Sequence, residues 1–79
     1  MPLTPEQLRE CAALKALFLE KAGMSQRAFV KKHDMGTPAN LSQYLQGRRA
    51  VSLEVALKMS NALGVPVEDF SPRLANRIN

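Results

Sequence analysis

Three times in a chain of 79 residues a hydroxyl side chain stands directly before a proline: Thr4-Pro5, Thr37-Pro38 and Ser71-Pro72. Each pair marks where a helix starts. The hydroxyl oxygen accepts a first-turn N–H that has no partner inside the helix, and proline at the first helical position removes a donor that would be unpaired anyway. Ser25 and Ser52 supply two further caps, and Gln7 stands at capping-box distance from Thr4. Gly23, Gly47 and Gly64 end three of the segments, and the run Asp34-Met35-Gly36 breaks another, with Gly36 able to take positive φ. This punctuation predicts five short helices, over about residues 5–22, 26–33, 38–46, 53–63 and 72–78. No strand-like alternation of useful length, internal repeat or low-complexity segment competes with them. The expected fold class is all-α, in one domain over residues 1–79.

The apolar spacing says which faces turn inward. In the first helix Leu8, Cys11, Ala12, Leu14, Leu17 and Phe18 return at three- and four-residue steps. The second offers Ala28 and Phe29, with His33 at its end; the third offers Leu41, Tyr44 and Leu45. The link Arg48-Arg49-Ala50-Val51 reads as exposed. The fourth helix carries Leu53, Val55, Ala56, Leu57, Met59, Ala62 and Leu63, and Val65, Pro66, Val67 and Phe70 form a loop folded over the core. On the fifth, Leu74 and Ile78 lie four apart and make one apolar edge, suited to the chain's own core or to a second copy.

Charge is informative by place. From Lys21 to Arg49 six basic residues (Lys21, Arg27, Lys31, Lys32, Arg48, Arg49) meet only Asp34, while outside that window five basic residues meet six acidic ones. A basic patch on an otherwise balanced domain is the footprint of a polyanion; a lysine-rich solvated face is the plainer reading of the same bias. No apolar run approaches the ~18 residues of a bilayer span, and the start of the chain carries acidic residues where a signal peptide has its apolar core. A lone cysteine, Cys11, excludes an internal disulfide framework, suits a reducing cytoplasm and reads as an inert core thiol. His33 reads as a helix-end packing residue. Tyr44 reads as a half-buried core aromatic rather than a base-stacking platform.

The second and third helices, separated by a tight glycine-containing turn, carry the functional reading. A helix that opens on Thr37-Pro38 and presents small and polar residues suits the DNA major groove. The groove admits one helix, and polar side chains near its N-terminus read base edges. Ala39 allows close approach of the backbone. Asparagine and glutamine pair bidentately with adenine, arginine with guanine, and a threonine methyl meets the thymine methyl; a good bidentate contact discriminates by about 1–3 kcal/mol.

SQRAFVKK, the turn, and then NLSQYLQG resemble the Cro/repressor-type helix-turn-helix, with Ser25-Gln26, Leu41-Ser42 and Gly47 in that family's characteristic places. The flanks PLTPEQL, LKAL and VPVEDFSPRLANRI extend the likeness to lambda-repressor-like DNA-binding domains over nearly the whole chain. The resemblance implies a five-helix all-α domain with its helix-turn-helix in helices 2 and 3. It further implies a transcriptional regulator of the phage-repressor kind that binds a pseudo-palindromic operator.

Carried over by position, it assigns base contacts to Thr37, Pro38, Ala39, Asn40, Gln43 and Arg49. Phosphate contacts go to Lys15, Gln26, Gln46, Arg48 and Ser52, and the dimer interface to Leu74 and Ile78. Three departures limit the carry-over. Only Met1 and Pro2 precede Leu3 where lambda-type members have a lysine-rich arm, so arm contacts are not carried over. The turn His33-Asp34-Met35-Gly36-Thr37 is one residue longer than the usual spacing, which affects the angle of the third helix. Pro38 fills the slot of a polar reader, and contact with a thymine methyl is the most it offers.

The expected partners are a double-stranded DNA operator and a weak homodimer, strengthened on DNA or by a self-cleaving, dimerising C-terminal domain of the kind such repressors continue into. No cofactor, metal, small-molecule substrate, membrane or enzymatic role is expected, and the place of action is the cytoplasm, at the bacterial nucleoid when bound. The alternative is a helix-turn-helix-like protein-interaction module, such as an antitoxin core or adaptor. That would call for an apolar outer face on the third helix, against which Thr37, Asn40 and Gln43 argue.

Overall fold

Thr4 and Gln7 close a reciprocal pair at the start of the fold. The Thr4 Oγ1 accepts from the Gln7 N–H at 3.1 Å, and the Gln7 Oε1 accepts from the Thr4 N–H at 2.9 Å. From this capping box helix α1 runs over Pro5–Lys21. Ser25, Thr37 and Ser52 cap α2 (Gln26–His33), α3 (Pro38–Leu45) and α4 (Leu53–Leu63), each hydroxyl oxygen accepting a backbone N–H three residues on at 3.2 Å. Ser71 does the same for α5 (Pro72–Ile78), accepting from the Leu74 N–H at 3.2 Å. Each cap is worth about 1 kcal/mol. The chain is described here by a computed structural model covering residues 3–78, without the side chain of Ile78. Within it the secondary structure is entirely helical.

α1 is the central post. Cys11, Leu14 and Phe18 face a core completed by Phe29, Val30, Leu41, Leu45, Ala56, Met59 and Leu74. Fully burying a side chain the size of leucine, methionine or phenylalanine stabilises by roughly 1.5–3 kcal/mol. Phe18 and Phe29 meet edge to face, 5.1 Å between centroids at 79°. The His33 ring tilts against Phe29 at 4.7 Å, which is the helix-end packing its position implied. No helix among the described residues is long and apolar enough to cross a membrane.

Several inward assignments shift. On α2, Ala28 is exposed and Val30 is buried beside Phe29. On the stripes of α1 and α4, Leu8 and Leu57 are 47% and 43% exposed. Val51, in the link read as exposed, is buried, and it fastens the chain between α3 and α4. The loop after α4 does fold over the core, but Val67–Asp69 makes one turn of 3-10 helix there, with Val65, Val67 and Phe70 buried.

The fifth helix brings a correction. Leu74, assigned to a dimer interface, is 2% exposed and belongs to the core of its own chain. A side chain already enclosed by its own fold has almost no surface to offer a second copy. The side chain of Ile78, the other interface assignment, lies outside the described residues. What fastens α5 is polar. The Glu10 carboxylate, 2% exposed on α1, accepts the Ser71 hydroxyl and a two-pronged pair from Arg73, Nε to Oε2 at 3.1 Å and Nη2 to Oε1 at 3.0 Å. Hydrogen bonding to Glu10 raises the Arg73 guanidinium further above its already high ordinary pKa. A buried carboxylate is tolerated when its lone pairs are taken up in this way.

Candidate nucleic-acid interface

Two left-handed residues make the turn between α2 and α3. Asp34 ends α2 with φ 52° and ψ 53°, and the Met35 N–H reaches back to the Val30 carbonyl at 3.0 Å. Gly36 follows with φ 88°. The sequence pointed to Gly36 for positive φ; Asp34 shares the task. Aspartate is among the few non-glycine residues that visit this region readily. A side chain at Gly36 would be strained by that φ and would also meet the Asn40 amide at 3.4 Å.

α3 divides cleanly. Leu41 and Leu45 enter the core, while Thr37, Ala39, Asn40 and Gln43 are exposed. Pro38, assigned to the outward face, is half-buried. The exposed set begins at the N-terminal end of the helix, where unpaired N–H groups and the positive end of the macrodipole favour an approaching anion. Capping engages Thr37 and Ser52 only as acceptors. Each hydroxyl proton therefore remains a possible donor to an external group.

The C-terminal end of α3 closes on Gly47, φ 73°. The Gly47 N–H reaches the Tyr44 carbonyl at 3.3 Å, and the Arg48 and Arg49 N–H groups both reach the Gln43 carbonyl, at 2.9 and 3.2 Å. This is a Schellman closure extended by one residue. It turns the chain sharply and puts two exposed arginines beside the end of α3. The Arg49 guanidinium lies over the Tyr44 ring, Cζ 5.7 Å from its centroid, and the Cys11 Sγ donates to the Arg49 carbonyl at 3.4 Å. Burial pushes the Cys11 thiol pKa up; a backbone hydrogen bond at Val51 opposes this and the nearby Glu10 charge adds to it.

The assigned phosphate residues fall in separate places around this element. Lys15 and Gln46, both exposed, line one shallow groove between α1 and the end of α3. Gln46 gives one amide hydrogen to the Ser42 Oγ at 2.8 Å and keeps its second. Ser52 and Asn40 line another groove, between α3 and α4. Gln26 opens α2 and is half-buried. Lys31 and Lys32 occupy the last turn of α2, where their charge offsets the negative end of the helix dipole.

Residues 14–70 match a family model described as helix-turn-helix, a stretch that holds α2, the turn, α3 and α4. The match covers more than half of the chain. The chain belongs to the lambda-repressor/Cro-type helix-turn-helix family. At the level of that family it is a DNA-binding transcription regulator, and its all-helical architecture is the family's.

Two features of this helix-turn-helix domain escaped the sequence reading. Tyr44 is half-buried against the core, as its position implied, and what was missed is the cation over its ring; a tyrosine five residues before an arginine across a stop glycine was the available signal. Glu10 was not singled out by the sequence. Nothing local to α1 marks it, because its partners lie more than sixty residues away.

Proposed function

We propose that the domain represses transcription in the manner of phage repressors, by binding a pseudo-palindromic duplex operator as a homodimer. α3 enters the major groove of each half-site. In this reading Thr37, Ala39, Asn40 and Gln43 face base edges, Pro38 contributes apolar contact at most, and Arg49 reaches DNA from the following loop. Lys15, Gln26, Gln46, Arg48 and Ser52 hold the sugar-phosphate backbone. The observation that carries the reading is the division of α3, whose outer side exposes the polar Thr37, Asn40 and Gln43 and the small Ala39 while Leu41 and Leu45 fix it to the core. A rod held rigidly from behind presents its front at little further conformational cost.

The backbone contacts supply the salt-dependent affinity and the α3 side chains the sequence preference. The reading assigns no catalytic step and no cofactor, and it places the chain on DNA in the cell. Leu74, enclosed by its own fold, is not part of the surface such a dimer would use.

Selection from a random duplex pool tests this directly. The expected result is an enriched sequence with two related half-sites about one helical turn, ~10 base pairs, apart, and a complex of two chains per duplex by size measurement. A pool without enrichment would overturn the operator reading and favour a protein-interaction role. Enrichment of a single half-site, with one chain bound, would overturn the dimer.

A further inference from the structure

Arg49 is held at three points. Its N–H donates to the Gln43 carbonyl at 3.2 Å, its carbonyl accepts from the Cys11 Sγ at 3.4 Å, and its guanidinium lies 5.7 Å from the centre of the Tyr44 ring. Two of these points belong to α3 and the third to α1. The ring separation is within the ~6 Å over which an aromatic quadrupole attracts a cation. Tyr44 stands in the last turn of α3, half-buried, on a helix already fastened by Leu41 and Leu45. Its ring is therefore a fixed platform, whereas Arg49 is a long, exposed side chain that would otherwise sample many rotamers.

We propose that Tyr44 is a positioning residue for DNA binding: its ring holds the Arg49 guanidinium in a set place relative to Gln43 before the duplex arrives. The proposal rests on the operator-binding reading and adds to it a specificity device. A guanidinium placed in advance loses less rotamer freedom on contact and meets the duplex at one distance from the α3 side chains. The pair is sequence-remote from the cap end of α3, so the platform acts at the far end of the helix from Thr37.

A double-mutant cycle tests this on the duplex that the wild-type chain selects from a random pool. Tyr44→Leu is expected to lower affinity about two- to five-fold, the range of an exposed cation–ring contact. Arg49→Ala is expected to lose much less affinity in the Tyr44→Leu background than in the wild type. Tyr44→Phe, which keeps the ring, should restore the coupling. Additive losses, or the same coupling with leucine as with phenylalanine, would overturn the proposal. A second readout avoids altering the half-buried ring and serves if Tyr44→Leu does not fold. Tyr44 is the sole tyrosine in a chain with no tryptophan, so the fluorescence reports the surroundings of this one ring. Exposed Arg49→Ala should change the emission of the free protein while exposed Arg48→Ala leaves it unaltered; equal spectra for both would also overturn the proposal. If the wild type selects no duplex, the operator reading fails and takes the positioning role with it. If it selects one and the cycle is additive, only the positioning role fails.

Discussion

The Ser71 hydroxyl donates to the Glu10 Oε2 and at the same time its oxygen accepts the Leu74 N–H, so one side chain both caps α5 and ties it to α1. Glu10 is 2% exposed and Ser71 fully buried. The contact is thus made away from water, where a hydrogen bond to a carboxylate is strong and an orphaned partner is costly.

Glu10→Gln removes the nearer of the two carboxylates that Arg73 faces, leaving Glu6 at 4.0 Å, and keeps the shape nearly intact. A loss of about 2 kcal/mol is expected, since hydrogen bonds to charged groups contribute about 1.5–3 kcal/mol. In a domain of this size that lowers the midpoint of thermal unfolding by roughly 10 °C. Calorimetry at neutral pH checks it, and an unchanged midpoint would show that the Glu10–Arg73 pair adds no stability.

Asp34 permits a test of backbone conformation with charge held constant. Asp34→Gly and Asp34→Ala both delete the same carboxylate, but only glycine takes φ 52° without strain. The glycine variant should be the more stable by about 1 kcal/mol. Urea unfolding of the two side by side gives the difference directly; alanine equal to glycine would mean that the turn relaxes out of the left-handed region.

Gln43→Ala should relax base preference more than it weakens total binding. The measurement is a selection profile for wild type and variant on the same pool. A uniform loss on every duplex would remove Gln43 from the base-reading set.

Arg48→Gln tests the cationic loop. Loss of one phosphate contact should weaken binding to all duplexes alike and flatten the dependence of log affinity on log salt by about one unit. A slope identical to that of the wild type would place Arg48 away from the backbone.

Cys11 gives a pH prediction. Burial raises its folded pKa above the ordinary thiol value of about 8.5. Below that pH the thiol is neutral in the folded and unfolded chain alike, and its contribution to stability is complete. As pH rises past it the unfolded chain ionises first, and stability falls. Unfolding free energy should therefore decline more steeply above pH ~8.5 in the wild type than in Cys11→Ala. Parallel curves would mean that the folded thiol titrates normally.

What was legible in the sequence was what is local. All five caps work within three residues of chain, and each falls on a hydroxyl residue at the expected start of a helix, three of them directly before a proline. On the longer helices α1 and α4 the period found the inward face but drew it too wide, taking in the exposed Leu8, Ala12 and Leu57. Eight-residue α2 was too short to set its own phase, and one step of error exchanged Val30 for Ala28. Leu74 was ambiguous for another reason, since an apolar edge looks the same whether its own chain or another covers it. The Glu10 cluster joins positions whose proximity exists only after folding. Of the candidate interface, the exposed set on α3 was readable from the cap and the spacing of Leu41 and Leu45. The half-burial of Pro38 and the seat of Arg49 on Tyr44 depend on how the turn and the Gly47 closure aim the chain.

The two loop arginines hang from the main-chain oxygen of residue 43, not from its side chain. Any of the ordinary amino acids offers that same oxygen. Exchanging the side chain here for any residue but proline therefore leaves the suspension of the loop untouched, and under the proposed reading the lettering of a target could be rewritten there while the grip that follows keeps its geometry.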